Sequence, residues 1–188
     1  MSINLAWIDL ETTGLNKDTE CILEIACIVT DEDYNWKEEY SSLVRPLGWQ
    51  FSHMDKETKD FHMETGLYQA IDKMYVDLND ITVVDEELSE ILSNHVNDKG
   101  LIKLAGSGVS HFDIHFIKRL MPLTYKLLHH TTEDIGVVRR FLKERVHIEV
   151  YEPKLRHRAY SDVVNHIEQA KWMRDRLQMA INGGTYSS

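Results

Sequence analysis

The chain has 188 residues, of which 43% are hydrophobic and 28% are charged, and its formal net charge is −10 at pH 7. This length and composition fit one globular domain with a sizeable core, and no apolar run approaches the ~18 residues that a membrane helix needs. The N-terminus lacks a basic stretch followed by an apolar segment, so we expect no signal peptide.

The spacing of the two cysteines shows whether they could form a disulfide, which bears on the redox compartment of the protein. If Cys21–Thr30 is a strand, Cys21 and Cys27 lie roughly 20 Å apart at ~3.3 Å per residue. A disulfide requires Cα atoms within about 7 Å of each other. We therefore expect two free thiols, which suit the reducing cytoplasm.

Acidic and basic residues are divided unequally along the chain. Residues 1–100 hold 22 acids and 7 bases, whereas residues 101–188 hold 9 acids and 14 bases. The acidic half is either a solvated face or a metal site beside a locally basic substrate surface, and both alternatives stay open at this point. Both disfavour a protein that grips a long duplex through many phosphate contacts, because that requires a large basic footprint.

The first part of the chain has the pattern of β-strands. Apolar, β-rich segments predict strands over Ile3–Leu10, Cys21–Thr30 and Tyr34–Val44, joined by short turns as in an antiparallel meander. Leu101–Ala105 is a further short apolar strand.

The rest of the chain has mostly helical spacing. Helices are predicted in pieces within His53–Lys73, and over Val83–Val96, Asp113–Met121, Glu133–Lys143 and Ala159–Ile181. Strands first, then strands alternating with helices, predict an α/β domain with a mixed sheet flanked by helices. We expect one domain over residues 1–181, and a polar, disordered tail over residues 182–188.

The first chemical signal is a pair of acids at the end of the first strand. Strand alternation places Asp9 and Glu11 on the same side, ~6.6 Å apart along the strand. A divalent cation would relieve their mutual repulsion, and hard oxygen ligands suit Mg²⁺ or Mn²⁺. Taken alone, the pair is also compatible with a solvated strand end.

Asp113 opens a predicted helix directly after Phe112. It follows the strand Leu101–Ala105 and a Gly-Ser-Gly turn. The alternative to a metal ligand here is an acid in the first helical turn, which the helix dipole favours.

His157 and Asp162 form the third signal. Residues five apart on one helix differ by ~140° around its axis and would not meet. They can converge if His157 lies on the preceding loop and Asp162 at the start of the last helix. A loop histidine beside an attacking water suits a general base, because its unperturbed pKa is ~6.5. The simpler alternative is a surface histidine.

In combination, four acids and a histidine in this order resemble the DnaQ-like exonucleases of the DEDDh type. Asp9 and Glu11 match the first motif, Asp113 the second, and His157 with Asp162 the third. The resemblance spans nearly the whole chain. It implies a ribonuclease H-like fold with a five-stranded mixed sheet, the DnaQ-like exonuclease fold.

Within that superfamily, the chain is most similar to the oligoribonuclease family. Trp7–Leu15 resembles its opening strand and turn, Ile22–Asp31 its second strand, and His62–Leu67 its His-x-x-[Ser/Thr]-Gly-Leu segment. Leu15 matches a leucine that wedges against a base, and His62 a histidine that helps to hold the substrate. The substrate-binding residues implied by this resemblance are Thr12, Gly14, Leu15, His62 and Phe112.

Two positions depart from that family. Glu57 stands where oligoribonuclease has a tryptophan, and His130-Thr131 stand where it has a Tyr-Arg pair that caps the 5′ phosphate of a dinucleotide. Ribonucleolytic chemistry is therefore better supported than dinucleotide specificity.

The resemblance implies two divalent cations, Mg²⁺ or Mn²⁺, held by the four carboxylates, with Asp9 between them. His157 would take a proton from the attacking water, and nucleoside 5′-monophosphates would leave from the 3′ end of short single strands. RNA is the favoured substrate, with no membrane partner, and the resemblance allows a homodimer. The alternatives are a single-stranded DNA exonuclease of the proofreading or ribonuclease T type and a catalytically silent nucleic-acid-binding adaptor.

Overall fold

The computed structural model of the protein describes residues 3–46, 48, 50–74, 80–152 and 156–182. They form a five-stranded sheet in the order β3-β2-β1-β4-β5. The strands are β1 (Leu5–Thr12), β2 (Ile22–Thr30), β3 (Trp36–Leu43), β4 (Lys103–Gly106) and β5 (Glu133–Asp134). Neighbours β1, β2 and β3 are antiparallel, while β4 and β5 run parallel to β1, so the predicted meander and mixed sheet are confirmed.

Seven α-helices are described: α1 (Lys56–Glu64), α2 (Leu67–Asp72), α3 (Ile81–Ser93), α4 (Asp113–Leu120), α5 (Pro122–Leu127), α6 (Ile135–Phe141) and α7 (Ala159–Ile181). A 3₁₀ turn covers Phe51–His53, and a π-helical turn, Leu142–Val146, extends α6.

The helix predictions were wrong near residue 133 and incomplete after Pro122. Glu133 and Asp134 were expected in a helix but form β5, because they pair with Ala105 and Gly106 of β4. Pro122 ends the predicted helix as expected, yet it also opens α5, since proline is tolerated in a first helical turn. The predicted bounds of α7 are confirmed.

Helices cover both faces of the sheet, and β1 lies between them. Its residues Ala6, Ile8 and Leu10 pack in a core cluster with residues of α3 and α4. Its residues Leu5 and Trp7 pack in the opposite cluster with residues of α6 and α7. Successive side chains of a strand alternate between faces, so the positions after Trp7 on this side belong to Asp9 and Glu11. The carboxylates thus face the layer that contains α7.

A glycine lets β4 lie close to β1 beside this pair of acids. Gly106 ends β4 with φ 152°, and a Cβ there would lie 2.9 Å from the carbonyl oxygen of Ile8. An L side chain rarely adopts this backbone conformation, so only glycine fits without displacement of β1.

Other expectations have mixed outcomes. Cys21 and Cys27 are free thiols, as predicted. None of the described helices has the length and apolar character needed to cross a bilayer. Residues 183–188 lie outside the described part of the chain, so the disordered tail and the domain boundary stay predictions.

Candidate active site

Three carboxylates converge at the end of β1. Asp9, Glu11 and Asp162 each offer an oxygen that lies within 4.8 Å of the others. Glu11 and Asp162 are 9% and 5% exposed, respectively. Oxygen ligands at this spacing can hold a divalent cation.

Asp162 reaches β1 because α7 begins beside the sheet. It lies in the first turn of α7, and its Oδ1 accepts a hydrogen bond from the backbone N–H of Arg156 at 3.1 Å. The first turn of a helix favours a negative charge because the unpaired N–H groups there carry partial positive charge. The predicted arrangement of a loop followed by Asp162 at a helix start is confirmed.

Burial and mutual repulsion disfavour the charged form of these acids. Burial raises the pKa of Glu11 to about 8, and the nearby carboxylates of Glu24 and Asp162 add to the increase. Burial also raises the pKa of Asp9 well above its usual range, with contributions from Asp113, Glu11 and Asp162. A bound cation would reverse this by favouring the ionised carboxylates, so the donor set fits a divalent metal.

Asp113 lies beside this group but is not one of the three. It is the first residue of α4, is 5% exposed, and is close enough to Asp9 to raise the pKa of that carboxyl. Burial raises the pKa of Asp113 to about 7, although hydrogen bonds from its own backbone and that of Leu10 act in the opposite direction. Asp113 is therefore placed to support the site from the α4 side.

Asp134 fastens the loop that precedes α4. Its Oδ1 accepts hydrogen bonds from the N–H groups of Gly108 and Gly136, both at 3.0 Å. Its Oδ2 accepts from the N–H and the hydroxyl of Ser110 at 3.1 and 2.5 Å. The three bonds to Gly108 and Ser110 restrict the loop between β4 and Asp113, and the bond from Gly136 caps α6.

His157 lies on the exposed loop before α7. Its backbone has φ 51°, a left-handed conformation that is uncommon for a residue other than glycine. Its ring contacts that of Phe61 edge-to-face, with centroids 4.9 Å apart. The contact joins His157 to the pocket that Phe61 lines.

A pocket of about 540 Å³ opens beside the carboxylates. All five residues expected to bind substrate line it, together with Glu11 and Phe61: Thr12, Gly14, Leu15, His62 and Phe112. Leu15 is 83% exposed, although a leucine usually avoids water. Its side chain is therefore free to contact a ligand.

His62 fixes one wall of the pocket. Its Nε2 donates a 2.8 Å hydrogen bond to the carbonyl of Thr12, which ties α1 to the end of β1. Because a carbonyl can only accept, Nε2 bears the proton, and the buried Nδ1 has no hydrogen-bond partner among the residues that the structure describes. Burial lowers the pKa of His62, so it is neutral at pH 7. The hydrogen bond to Thr12 gives His62 a structural role. Its expected role in holding substrate stays a prediction.

The sequence reasoning missed Phe61, Asp134 and the ion pair of Glu24 with Arg158. Phe61 lies four residues after Glu57, so helical spacing from the missing tryptophan position could have found it. Glu24 is the one charged residue of the otherwise apolar, buried β2, which was a signal that it needs a partner. No signal identified Asp134, because its bonds depend on the tertiary position of β5.

Comparison with known proteins defines the class of this site. A family model described as an exonuclease matches residues 6–170. The chain belongs to the exonuclease family. It is therefore a phosphodiester hydrolase that acts as a 3′-to-5′ exonuclease, and enzymes of this family depend on divalent metal.

The exonuclease is similar to curated relatives named oligoribonuclease. It is 31% identical over 182 residues to the mitochondrial oligoribonuclease of Homo sapiens, covering 94% of this chain and 74% of that one. It is 29% identical over 174 residues to the oligoribonuclease of Corynebacterium diphtheriae, covering 90% and 81%. The predicted family resemblance is confirmed.

Among solved structures, the exonuclease resembles the zinc-bound complex of E. coli exonuclease I with single-stranded DNA. The TM-score is 0.72 at 15% identity, over 97% of this chain and 42% of that chain. The chain thus spans about two fifths of the length of that protein. The likeness shows the fold alone, and the expected DnaQ-like, ribonuclease H-like fold is confirmed.

The raised pKa of Glu11 predicts that the metal-free protein loses stability as pH rises from 6.5 to 8. The folded state retains a proton on Glu11 up to about pH 8, whereas the unfolded state releases it near 4.5, so stability falls through this window. One such proton corresponds to on the order of 1.5 kcal/mol over the window. The buried His62 and His166 act in the opposite direction over the lower part of this window, because an unfolded histidine is half protonated near pH 6.5. Their contribution should be the same in the parent and in the variants compared below.

The measurement is urea unfolding in EDTA at both pH values. Glu11→Gln should make the dependence shallower without abolishing it, because Asp9 and Asp113 also have raised pKa values and still titrate. Glu152→Gln, on an exposed acid, should leave the dependence unchanged. An equal loss of stability in the Glu11→Gln variant would show that Glu11 does not titrate as argued.

Proposed function

We propose that this exonuclease degrades short single-stranded RNA from the 3′ end and releases nucleoside 5′-monophosphates in the cytoplasm. The observation that supports the proposal most directly is the group of Asp9, Glu11 and Asp162 beside a pocket large enough for a nucleotide. The pair of free thiols suits a reducing compartment.

Two divalent cations, Mg²⁺ or Mn²⁺, would be held by Asp9, Glu11 and Asp162, with support from Asp113. When bound, they supply positive charge that stabilises the attacking oxygen and the leaving 3′-oxygen. The carboxylates contribute by fixing the position of that charge relative to the pocket. Their first task is therefore to remain ionised and close together.

His157 would accept the proton of the attacking water. Its exposure leaves the ring in contact with solvent, and its edge-to-face contact with Phe61 orients it at the rim of the pocket. Glu11, by contrast, would be occupied as a ligand. The imidazole of His157 at the rim is thus the group suited to act as general base.

Aromatic and apolar side chains of the pocket would bind the terminal base. Leu15, Phe61 and Phe112 line the same pocket, and stacking of a base on an aromatic ring is tolerant of sequence. Phe61 is one helical turn after Glu57, so we infer that it provides the aromatic surface that the missing tryptophan would provide. Little base specificity is expected from such contacts.

RNA is preferred to DNA in this proposal because the relatives above 30% identity are named oligoribonuclease. The neighbour with bound DNA is only 15% identical. A silent adaptor is disfavoured because all four acids and the histidine are retained and the three ligand oxygens converge.

The test uses RNA and DNA oligomers of equal length and sequence, labelled at the 5′ end, with Mg²⁺ or Mn²⁺. We expect stepwise shortening from the 3′ end, release of 5′-mononucleotides, faster cleavage of RNA, and no cleavage in EDTA. Asp162→Asn should be inactive while its fold survives, and Asp175→Asn, on the same helix, should match the parent. Metal-independent activity, or Asp162→Asn activity within tenfold of the parent, would exclude the proposal.

His157→Ala should lose about 10²–10⁴-fold in kcat with little change in the metal concentration required, because only a proton acceptor is removed. His147 provides a matched control, since it is also exposed with a positive φ of 57°. A kcat for His157→Ala that matches the parent and the His147→Ala control would show that His157 is only a surface residue.

We expect this enzyme to distinguish less between substrates of different lengths than an enzyme in which an arginine caps the 5′ phosphate. Thr131 forms hydrogen bonds to the ring of His129 through both its backbone N–H and its hydroxyl. The hydroxyl, which is the only donor of the side chain, is therefore already engaged. Loss of one charged hydrogen bond costs about 1.5–3 kcal/mol, or roughly tenfold to a hundredfold.

The measurement compares kcat/KM for a 5′-phosphorylated dinucleotide with that for a longer strand of the same 3′ sequence. Thr131→Arg should increase the preference for the dinucleotide, whereas Thr132→Arg serves as the neighbouring control. A dinucleotide preference above about a thousandfold in the parent would mean that other residues rebuild the cap.

We also propose that the exonuclease self-associates through the exposed apolar side of α6. Val137, Val138 and Phe141 are 49%, 41% and 58% exposed and lie on adjacent turns. An exposed apolar stripe of this kind is a common feature of homodimer interfaces.

A further inference from the structure

Glu24 and Arg158 form a fork beside the carboxylate group. The guanidinium donates from Nε to Oε2 at 3.0 Å and from Nη2 to Oε1 at 2.8 Å. Oε2 also accepts the backbone N–H of Ala159, the first residue of α7, at 3.1 Å. Paired bonds of this kind fix direction as well as distance. The fork therefore ties β2 to the start of α7.

The position of Glu24 is unfavourable without this partner. Glu24 is 7% exposed and lies directly opposite Glu11 in the antiparallel pairing of β1 with β2. Like charges directly opposite each other on neighbouring strands are destabilising. Arg158 is the cation that offsets Glu24, and it also lowers the pKa of Glu11. Removal of either partner would leave a charge uncompensated next to the site.

The fork and a second anchor lie on either side of His157. On one side, the N–H of Arg156 donates to Asp162, and on the other, Arg158 binds Glu24. Between them, the backbone of His157 has φ 51°, a conformation that L residues other than asparagine and aspartate rarely adopt. Such a conformation persists only when its surroundings impose it. Among the described residues, the two anchors fix the backbone on both sides of His157 and so can impose this conformation.

We propose that Glu24 and Arg158 are positioning residues that hold His157 in its left-handed conformation at the rim of the pocket. Neither contacts substrate, and both act through the loop. This inference rests on the proposed role of His157 as general base. If the fork is weakened, His157 relaxes toward an ordinary backbone conformation and its ring moves away from the attacking water. Misplacement of a catalytic group by about 1 Å can cost on the order of a hundredfold in rate.

The experiment is a double-mutant cycle of Glu24→Gln and His157→Ala. Glutamine keeps the shape and the acceptor for the N–H of Ala159 but loses the charge that pairs with Arg158. We expect Glu24→Gln alone to reduce kcat by about 10–100-fold, with KM changed less than about threefold. In the His157→Ala background, the same change should reduce kcat less than about threefold, because the group that it positions is already absent.

Glu38→Gln is the matched control. Glu38 is also an acid of the sheet with a side-chain partner, His95 at 2.6 Å, but it lies on β3. It should retain the parent kcat. Arg158→Lys provides a second route if Glu24→Gln does not fold, because lysine keeps the charge and loses the fork. It should reduce kcat in the parent but not in the His157→Ala background.

The outcomes separate this inference from the proposed function. If His157→Ala retains the parent kcat, the role of His157 as base is wrong, and the positioning role falls with it. If His157→Ala is impaired but Glu24→Gln and Arg158→Lys match Glu38→Gln, only the positioning role is wrong. If the losses add fully in the double variant, the fork acts on something other than His157, and the inference is also overturned.

Discussion

Electrostatic repulsion among buried carboxylates is the constraint on which the site depends. Burial raises the pKa of Asp9, Glu11 and Asp113, the charge of Asp162 adds to the increase at Asp9 and Glu11, and Glu24 adds a fifth negative charge. A chain that folds around such a group must offset its repulsion by other means. Arg158 and the two divalent cations proposed here would together balance five negative charges. The group of acids would then carry no net charge before the phosphodiester arrives. It would no longer repel the phosphate, so each cation could attract the substrate.

The scaffold opposes this repulsion through the central position of β1. Strand β1 is paired on both sides, and its two faces are packed under helices, so the ends of the carboxylates cannot separate by movement of the strand. Trp7 illustrates the fastening: it is fully buried and its Nε1 donates to Thr30 at 3.0 Å. The apolar packing of Trp7, two residues before Asp9, thus offsets the electrostatic repulsion between the carboxylates.

The sequence was sufficient for features governed by local periodicity. The two-residue spacing of Asp9 and Glu11 predicted a shared side of β1, and the five-residue spacing of His157 and Asp162 predicted a loop followed by a helix start. The sequence was insufficient for features that depend on the register in which two strands pair. Whether Glu24 faces Glu11 depends on the pairing of β1 with β2, which a single residue of slip would reverse.

Two other features depended on distant partners. The two-residue β5 is too short for a propensity signal and exists because β4 offers it an edge. His157 has a left-handed backbone although it is neither glycine nor asparagine, the residues that would indicate this conformation in a sequence. In our proposal, the contacts of Arg156 and Arg158 impose the conformation. The pairing of β5 with β4 and the fork of Arg158 with Glu24 both join residues that are more than twenty positions apart in the sequence. Local pattern cannot contain such information.

The charge of the pocket gives a reason why metal and substrate binding should be linked. Among its described lining residues, Glu11, Asp55 and Glu57 are acids and none is lysine or arginine. Asp55 is partly engaged, since it caps α1 through the N–H of Thr58 at 2.9 Å. A phosphodiester approaching this surface would be repelled unless cations are bound first. The aromatic and apolar contacts to the base then supply attraction that does not depend on charge. The net acidity of the chain is therefore compatible with a nucleic-acid substrate, because affinity is carried by bound cations and by stacking rather than by a broad basic surface.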